Sequence, residues 1–227
     1  MTARFDTAKN ELTGPIPTEL GRLSLINEGF KLAQNNFSQQ IPSEYGLLTA
    51  ITNDYNLDSN QLSGSIPSEL GQLDALTYGF YVDTNSLSRP IPTQLGGLSA
   101  LRFRLELERN KLSQAIPTQL GRLTIESGFY LLTNSLSQTI PTQLGKLTAI
   151  TSDFYLDSNE LCGDIPTELA LVSASCTSNY FVTTGNSLGT VCPTPEPTAS
   201  PTISSRPTGK SIHLSLKGRQ REHTLAV

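Results

Sequence analysis

The chain has no tryptophan, one methionine, two histidines and three cysteines among its 227 residues. Both histidines, His213 and His223, stand near the C-terminus, so residues 1–192 hold none. That absence excludes a Ser/His/Asp or Cys/His relay within those residues. No His/Cys cluster has metal-ligand spacing, and no Gly-rich phosphate loop precedes a helix; no metal and no cofactor is expected. No run of 18 apolar residues occurs, so no membrane span is encoded. Charge is scarce, at 16% of residues, and unevenly placed: residues 1–192 carry 11 Lys/Arg against 18 Asp/Glu, residues 193–227 carry 5 against 2. An acidic body argues against nucleic acid as partner, since phosphate binding needs clustered cations. The opening, Met1 to Thr7, lacks the apolar stretch of a secretory signal.

What is present is a beat. Asn10, Asn35, Asn60, Asn85, Asn110, Asn134 and Asn159 follow one another at 25 residues five times and 24 once, each with Ile-Pro six residues on. Self-similarity at this period marks stacked units sharing one quasi-linear core. The recurring frame is Asn-x-Leu-(four residues)-Pro-(Ser/Thr)-x-Leu-Gly-x-x-Leu, fullest from Asn60 to Leu73. Five and three residues before each Asn from Asn35 on stand large apolar pairs such as Phe30/Leu32, Tyr55/Leu57, Phe80/Val82 and Phe154/Leu156. Period two on one side predicts a short half-buried strand, and stacking the units lays these strands into a parallel sheet. The Asn is expected to turn inward and bond neighbouring backbone, forming a ladder. Ile-Pro is expected to be extended. The following Ser/Thr-x-Leu-Gly predicts a one-turn helix with a hydroxyl N-cap and a glycine stop. Phe5 already occupies a strand position with no capping lead-in before it, so the chain is expected to be a fragment lacking its true N-terminus.

These residues resemble the plant-type leucine-rich repeat of extracellular receptors and secreted proteins, over about residues 3–192. The resemblance implies an α/β repeat solenoid: a right-handed horseshoe with a concave parallel β-sheet and short convex 3₁₀/α turns. The array is assigned to 1–171, a C-terminal cap to 172–192 and a tail to 193–227. Two departures from the family pattern stand out. The gap before each strand is one residue longer, as from Leu76 to Phe80, which predicts a bulge eased by Gly29, Gly79 and Gly128 in three rungs. The Gly four after the ladder Asn survives only at Gly14, Gly64 and Gly163, so the convex edge is expected to be uneven. By resemblance to the cap of algal members, Cys162 pairs with Cys192 and Cys176 is left over; the alternative is three reduced thiols packed as small apolar residues. From Pro193 the Pro/Thr/Ser-rich and then basic sequence cannot form a core and reads as disordered, with an O-glycosylated stalk as the alternative.

Catalysis is not expected: Glu106 and Glu108 share a strand face, but nothing in the sequence supplies a pocket for a glycosidase pair. What remains is surface. Four residues before the ladder Asn the outward column reads Asp6, Lys31, Asn56, Tyr81, Glu106, Tyr130, Tyr155; two before, it reads Ala8, Ala33, Asp58, Asp83, Glu108, Leu132, Asp157. Tyrosines beside an acidic row have the make-up of a binding surface. The candidate ligand residues are Asp58, Tyr81, Asp83, Glu106, Glu108, Tyr130, Tyr155 and Asp157. The expected function is non-catalytic recognition of a basic peptide, a protein or a glycan, outside the cell or at its surface, as a secreted module or receptor ectodomain. The lone sequon, at Asn36, fits that setting. An ice-interacting structural protein is the rival class; its uniform Ser/Thr column is accounted for here by helix capping, and the strand columns match a lattice poorly.

Overall fold

In the computed structural model, residues 3–176 and 178–193 are described. Each rung contributes two strands and a 3₁₀ turn, and like elements stack on like. The first sheet holds eight parallel strands, in chain order from Arg4–Asp6 through Asn53–Asn56 and Phe103–Glu106 to Ser178–Phe181. The sequence had suggested this sheet alone. A second eight-stranded parallel sheet runs from Thr13–Pro15 through Gln61–Gly64 to Ser187–Leu188, built from the residues just after each ladder Asn. Six 3₁₀ turns, Thr18–Arg22 to Thr142–Lys146, follow Pro, and an α-helix, Leu169–Ser175, takes the seventh place. Phe30, Tyr55, Phe80, Phe129 and Phe154 fill the core between the layers, all fully buried. Their rings stack rung on rung, as in Tyr55–Phe80 at 5.3 Å and Phe129–Phe154 at 5.2 Å.

The ladder amides join the rungs. Asn85 Nδ2 donates to Val82 O and Asp83 O in its own rung and reaches back to Leu57 O, while its Oδ1 accepts from Leu62 N–H. Every Asn from Asn35 to Asn159 repeats this arrangement. Asn10, with no described rung before it, keeps only its bonds to Thr7 O and Ala8 O. The pattern extends one step further: Asn186 Oδ1 accepts from Leu161 N–H and its Nδ2 donates to Leu156 O and Val182 O. Residues 178–192 therefore repeat the rung once more, and the Cys162–Cys192 disulfide, Cα atoms 5.1 Å apart, ties this last turn to the one before. Cys176 is a buried free thiol.

Three expectations change. The Ser/Thr after Pro does not cap: Pro17, Pro42, Pro67, Pro92, Pro117 and Pro141 hold the N-cap positions with no side-chain cap bond. The hydroxyls lie one residue inside and turn to the next side chain, as Ser68 does to Glu69 at 3.1 Å. Nor is the following glycine a stop. A Cβ on Gly71 would stand 2.2 Å from Gln94 O, and one on Gly121 2.1 Å from Gln143 O. Glycine recurs there because the backbones of adjacent turns touch. Finally, the edge is uniform where it was expected to be uneven. The fourth residue after each ladder Asn is left-handed whatever its identity, from Gly64 (φ 78°) to Arg89 (φ 74°) and Gln114 (φ 67°). The kink entering the first-sheet strands is likewise a backbone feature: Gly79 and Gly128 adopt it, but so do Asp54, Arg104 and Asp153, whereas Gly29 does not. The tail from residue 194 onward lies outside the described residues.

Asn85→Ala leaves buried donors and acceptors in two rungs unpaired and is expected to cost about 3 kcal/mol in denaturant unfolding. Asn10→Ala, at an exposed position with own-rung bonds only, is expected to cost less than about 1 kcal/mol. Equal losses would show that the inter-rung bonds carry little of the stability.

Candidate binding face

The outward residues of the first sheet come from strands held in strict register. Asn56, Tyr81, Glu106, Tyr130, Tyr155 and Phe181 pair across consecutive strands and make one column. Two residues further along each strand run Asp58, Asp83, Glu108, Leu132 and Asp157.

The three tyrosines picked out in the sequence divide. Tyr81 lies flat over the kink before it: a Cβ at Gly79 would meet its Cε2 at 2.1 Å. Only 9% of Tyr81 is exposed. Tyr130 and Tyr155 instead stack on each other, centroids 5.1 Å apart and planes 12° from parallel. The stack continues to Phe181, 5.3 Å beyond Tyr155 and 47% exposed. Phe181 escaped the sequence reading because its rung carries extra residues: it stands five before Asn186, not four. The triplet Asn186-Ser187-Leu188, a copy of Asn85-Ser86-Leu87 and Asn134-Ser135-Leu136, was the available signal.

The carboxylates converge across columns rather than along one. Asp83, Glu106 and Glu108, from two adjacent rungs, place oxygens within 4.8 Å of one another. Thr84 Oγ1 donates to Asp83 at 3.0 Å, and Arg104 pairs with Glu106 at 3.1 Å. Glu108 Oε2 is out of solvent without a hydrogen-bond partner, as is Asp157 Oδ1 one column-step away from the aromatic stack. Burial, reinforced by the neighbouring carboxylates, pushes the Glu108 carboxyl up to about 8. Glu106 rises to about 7, again through burial and against the pull of Arg104. Burial lifts Asp83 to about 6, with Asp58 adding to it. Asp58 thus stands beside the cluster and outside it. Three hard oxygen donors are few for a calcium or magnesium cage, which takes six or more ligands.

These groups ionise near 4 in an unfolded chain, so the folded protein holds protons that the unfolded one has released. Their contribution to folding is complete below about pH 4 and is lost as pH rises through 6 to 8. Glu108→Gln is therefore expected to raise the melting temperature by several degrees at pH 8, and to change it by less than about 1 °C at pH 4. Parallel melting curves for variant and wild type across that range would contradict the buried-charge account.

The leucine-rich-repeat family pattern matches residues 56–73. A comparison with curated proteins found no match. Among solved structures, the plant peptide hormone receptor RGFR1 in complex with RGF2 is 29% identical, with a TM-score of 0.70 over 81% of this chain and 28% of that one. The Arabidopsis receptor kinase HAESA, in complex with the peptide hormone IDA and the co-receptor SERK1, is 32% identical, with a TM-score of 0.66 over 81% and 30%. A plant ice-binding protein is 28% identical, with a TM-score of 0.63 over 80% and 56%. The chain thus spans less than a third of the two receptor structures. With its rungs, its asparagine ladder and these neighbours, the chain is a leucine-rich-repeat solenoid similar to plant receptor ectodomains and to a plant ice-binding protein.

Proposed function

We propose that this chain is a non-catalytic recognition module that binds a peptide or protein ligand on the first-sheet face, outside the cell, as a secreted protein or part of a receptor ectodomain. The observation that carries the reading is the aromatic column Tyr130–Tyr155–Phe181, half-buried at the tyrosines and exposed at Phe181, held in register beside half-buried carboxylates. Such rings supply apolar area at low entropic cost. Carboxylates short of partners favour a ligand that brings donors. The ring geometry favours a peptide over a glycan. A sugar stacks on a ring face, and in this column each inner face is covered by the next ring at 5.1–5.3 Å, leaving edges and hydroxyls outward. Two solved neighbours bind peptide hormones, and the disulfide fits an oxidising compartment.

The test is panning of a random peptide library against the chain, followed by affinity measurement on a Tyr155→Ala/Phe181→Ala variant. Selected peptides are expected to lose at least about tenfold in affinity, roughly 1.4 kcal/mol. Peptides that bind the variant unchanged would place recognition elsewhere.

A second reading rests on the column that the sequence had assigned to capping. Thr18, Ser43, Ser68, Thr93, Thr118, Thr142 and Thr167 are all exposed, and the six that open the 3₁₀ turns cap none of them. They form a regular exposed row of hydroxyls, six of which donate to the side chain of the next residue, and an ice-binding protein is among the neighbours. In this reading the chain inhibits ice recrystallisation beyond an albumin control and Thr93→Lys/Thr118→Lys weakens it. Activity equal to the control removes it.

A further inference from the structure

The column Glu106–Tyr130–Tyr155–Phe181 puts a carboxylate at one end of an aromatic stack that is half-buried at the tyrosines and exposed at Phe181, and its register fixes the distance between the two. Paired strands carry these four residues in sequence. Three inter-strand steps of about 4.8 Å place the carboxylate end about 14 Å from Phe181. An extended peptide advances about 3.4 Å per residue, so four residues cover that span. Four is an even number, and in an extended chain residues i and i+4 project to the same side. One peptide strand lying across the rungs can therefore present two side chains to both ends of the column at once.

The chemistry at each end differs. At Phe181 and Tyr155 the surface is aromatic and apolar. At the other end Asp83, Glu106 and Glu108 crowd together, with Asp58 adjacent, and the cation pairing with them is Arg104, engaged on Glu106. Arg109 is exposed and pulls only weakly on Glu108. Glu108 Oε2 has no donor. Charge complementarity selects a cationic side chain for this end.

Resting on the recognition reading above, we propose that the ligand of this face is an extended peptide with a Lys or Arg side chain seated among Asp83, Glu106 and Glu108, and an aromatic or branched apolar side chain four residues away lying on Tyr155 and Phe181. The two anchors act as a ruler, so the face selects spacing as well as composition.

The peptides selected on the full chain at pH 7.5 decide the matter. They are expected to be enriched in Lys or Arg four residues from Phe, Tyr, Leu or Ile. A selected peptide is expected to lose at least about tenfold in affinity when its cation becomes Gln or when one Gly is inserted between the anchors. On a Glu106→Gln/Glu108→Gln chain the cation-to-Gln peptide change is expected to have no effect, while Tyr155→Ala/Phe181→Ala still weakens binding; thermal melts check that each variant is folded. Selected peptides that need Tyr155 and Phe181 but carry no cation at that spacing would overturn this ligand chemistry and leave the recognition face standing. Peptides indifferent to Tyr155 and Phe181 would overturn both. Calcium chloride at 1 mM is expected to leave peptide binding unchanged at about constant ionic strength; a bound calcium ion that excludes the peptides would assign the acidic end to a metal instead.

Discussion

Everything in this fold depends on one side-chain amide. A rung is too short to bury its own apolar face, and its strands have hydrogen-bond partners only in the rungs above and below. The ladder asparagine sits where the first strand must turn toward the second; its two N–H donors are shared among two carbonyls of its own rung and one of the preceding rung, and its oxygen accepts from the preceding rung. Asparagine suits the task because its amide offers donors and an acceptor on a short arm. Aspartate lacks the donors, and glutamine is one methylene too long for the same turn. The residue just before it, left-handed in each of the seven rungs, aims the amide inward: Ser59, Thr84 and Arg109 adopt φ values of 51–52°.

That dependence explains which parts of the fold were legible from the sequence. Asparagine, the paired apolar residues and Ile-Pro are required by side-chain chemistry, so they recur and can be counted. Left-handed kinks are required of the backbone, which glycine meets most easily but Gln39, Arg89 and Gln114 also meet at modest strain. A loss of glycine therefore looked like a loss of regularity when the chain kept the same path. The glycines in the 3₁₀ turns were visible and misassigned for the opposite reason. Their purpose lies in the next rung, where Gln94 O or Gln143 O approaches, and a single repeat read alone suggests only a local stop. The second sheet was missed because its strands show little alternation, Gln61–Gly64, Lys111–Gln114 and Ser135–Thr139 each burying a single residue.

The face was legible as columns and illegible as shapes. Register made the outward positions countable from Asn backward, and seven rungs of both columns follow that count. What counting could not supply was the conformation of each side chain. Tyr81 stands between Asn56 and Glu106 and lies over Gly79; Tyr130 also follows a left-handed glycine, Gly128, and also borders Glu106, but with Tyr155 on its other side it stacks. Phe181 belongs to the column by pairing, not by spacing.

The acidic positions raise a question of cost. Burial of Glu106 and Glu108 lifts both carboxyls well above their ordinary range, and Glu108 leaves one oxygen without a partner. The fold does not require carboxylates there. In the same column Ala33 is buried and Leu132 half-buried, in rungs with the same register and the same ladder bonds. A scaffold selected for stability alone would repeat such residues at Asp83 and Glu108, since ionising crowded, half-buried carboxyls costs stability. The rung of Glu106 and Glu108 pairs directly onto the aromatic stack and that of Asp83 lies one step further, away from the first rungs, where Lys31 and Asp54 pair with each other. A stability cost placed on this face, next to its aromatic stack, is what a ligand bringing the opposite charge would offset.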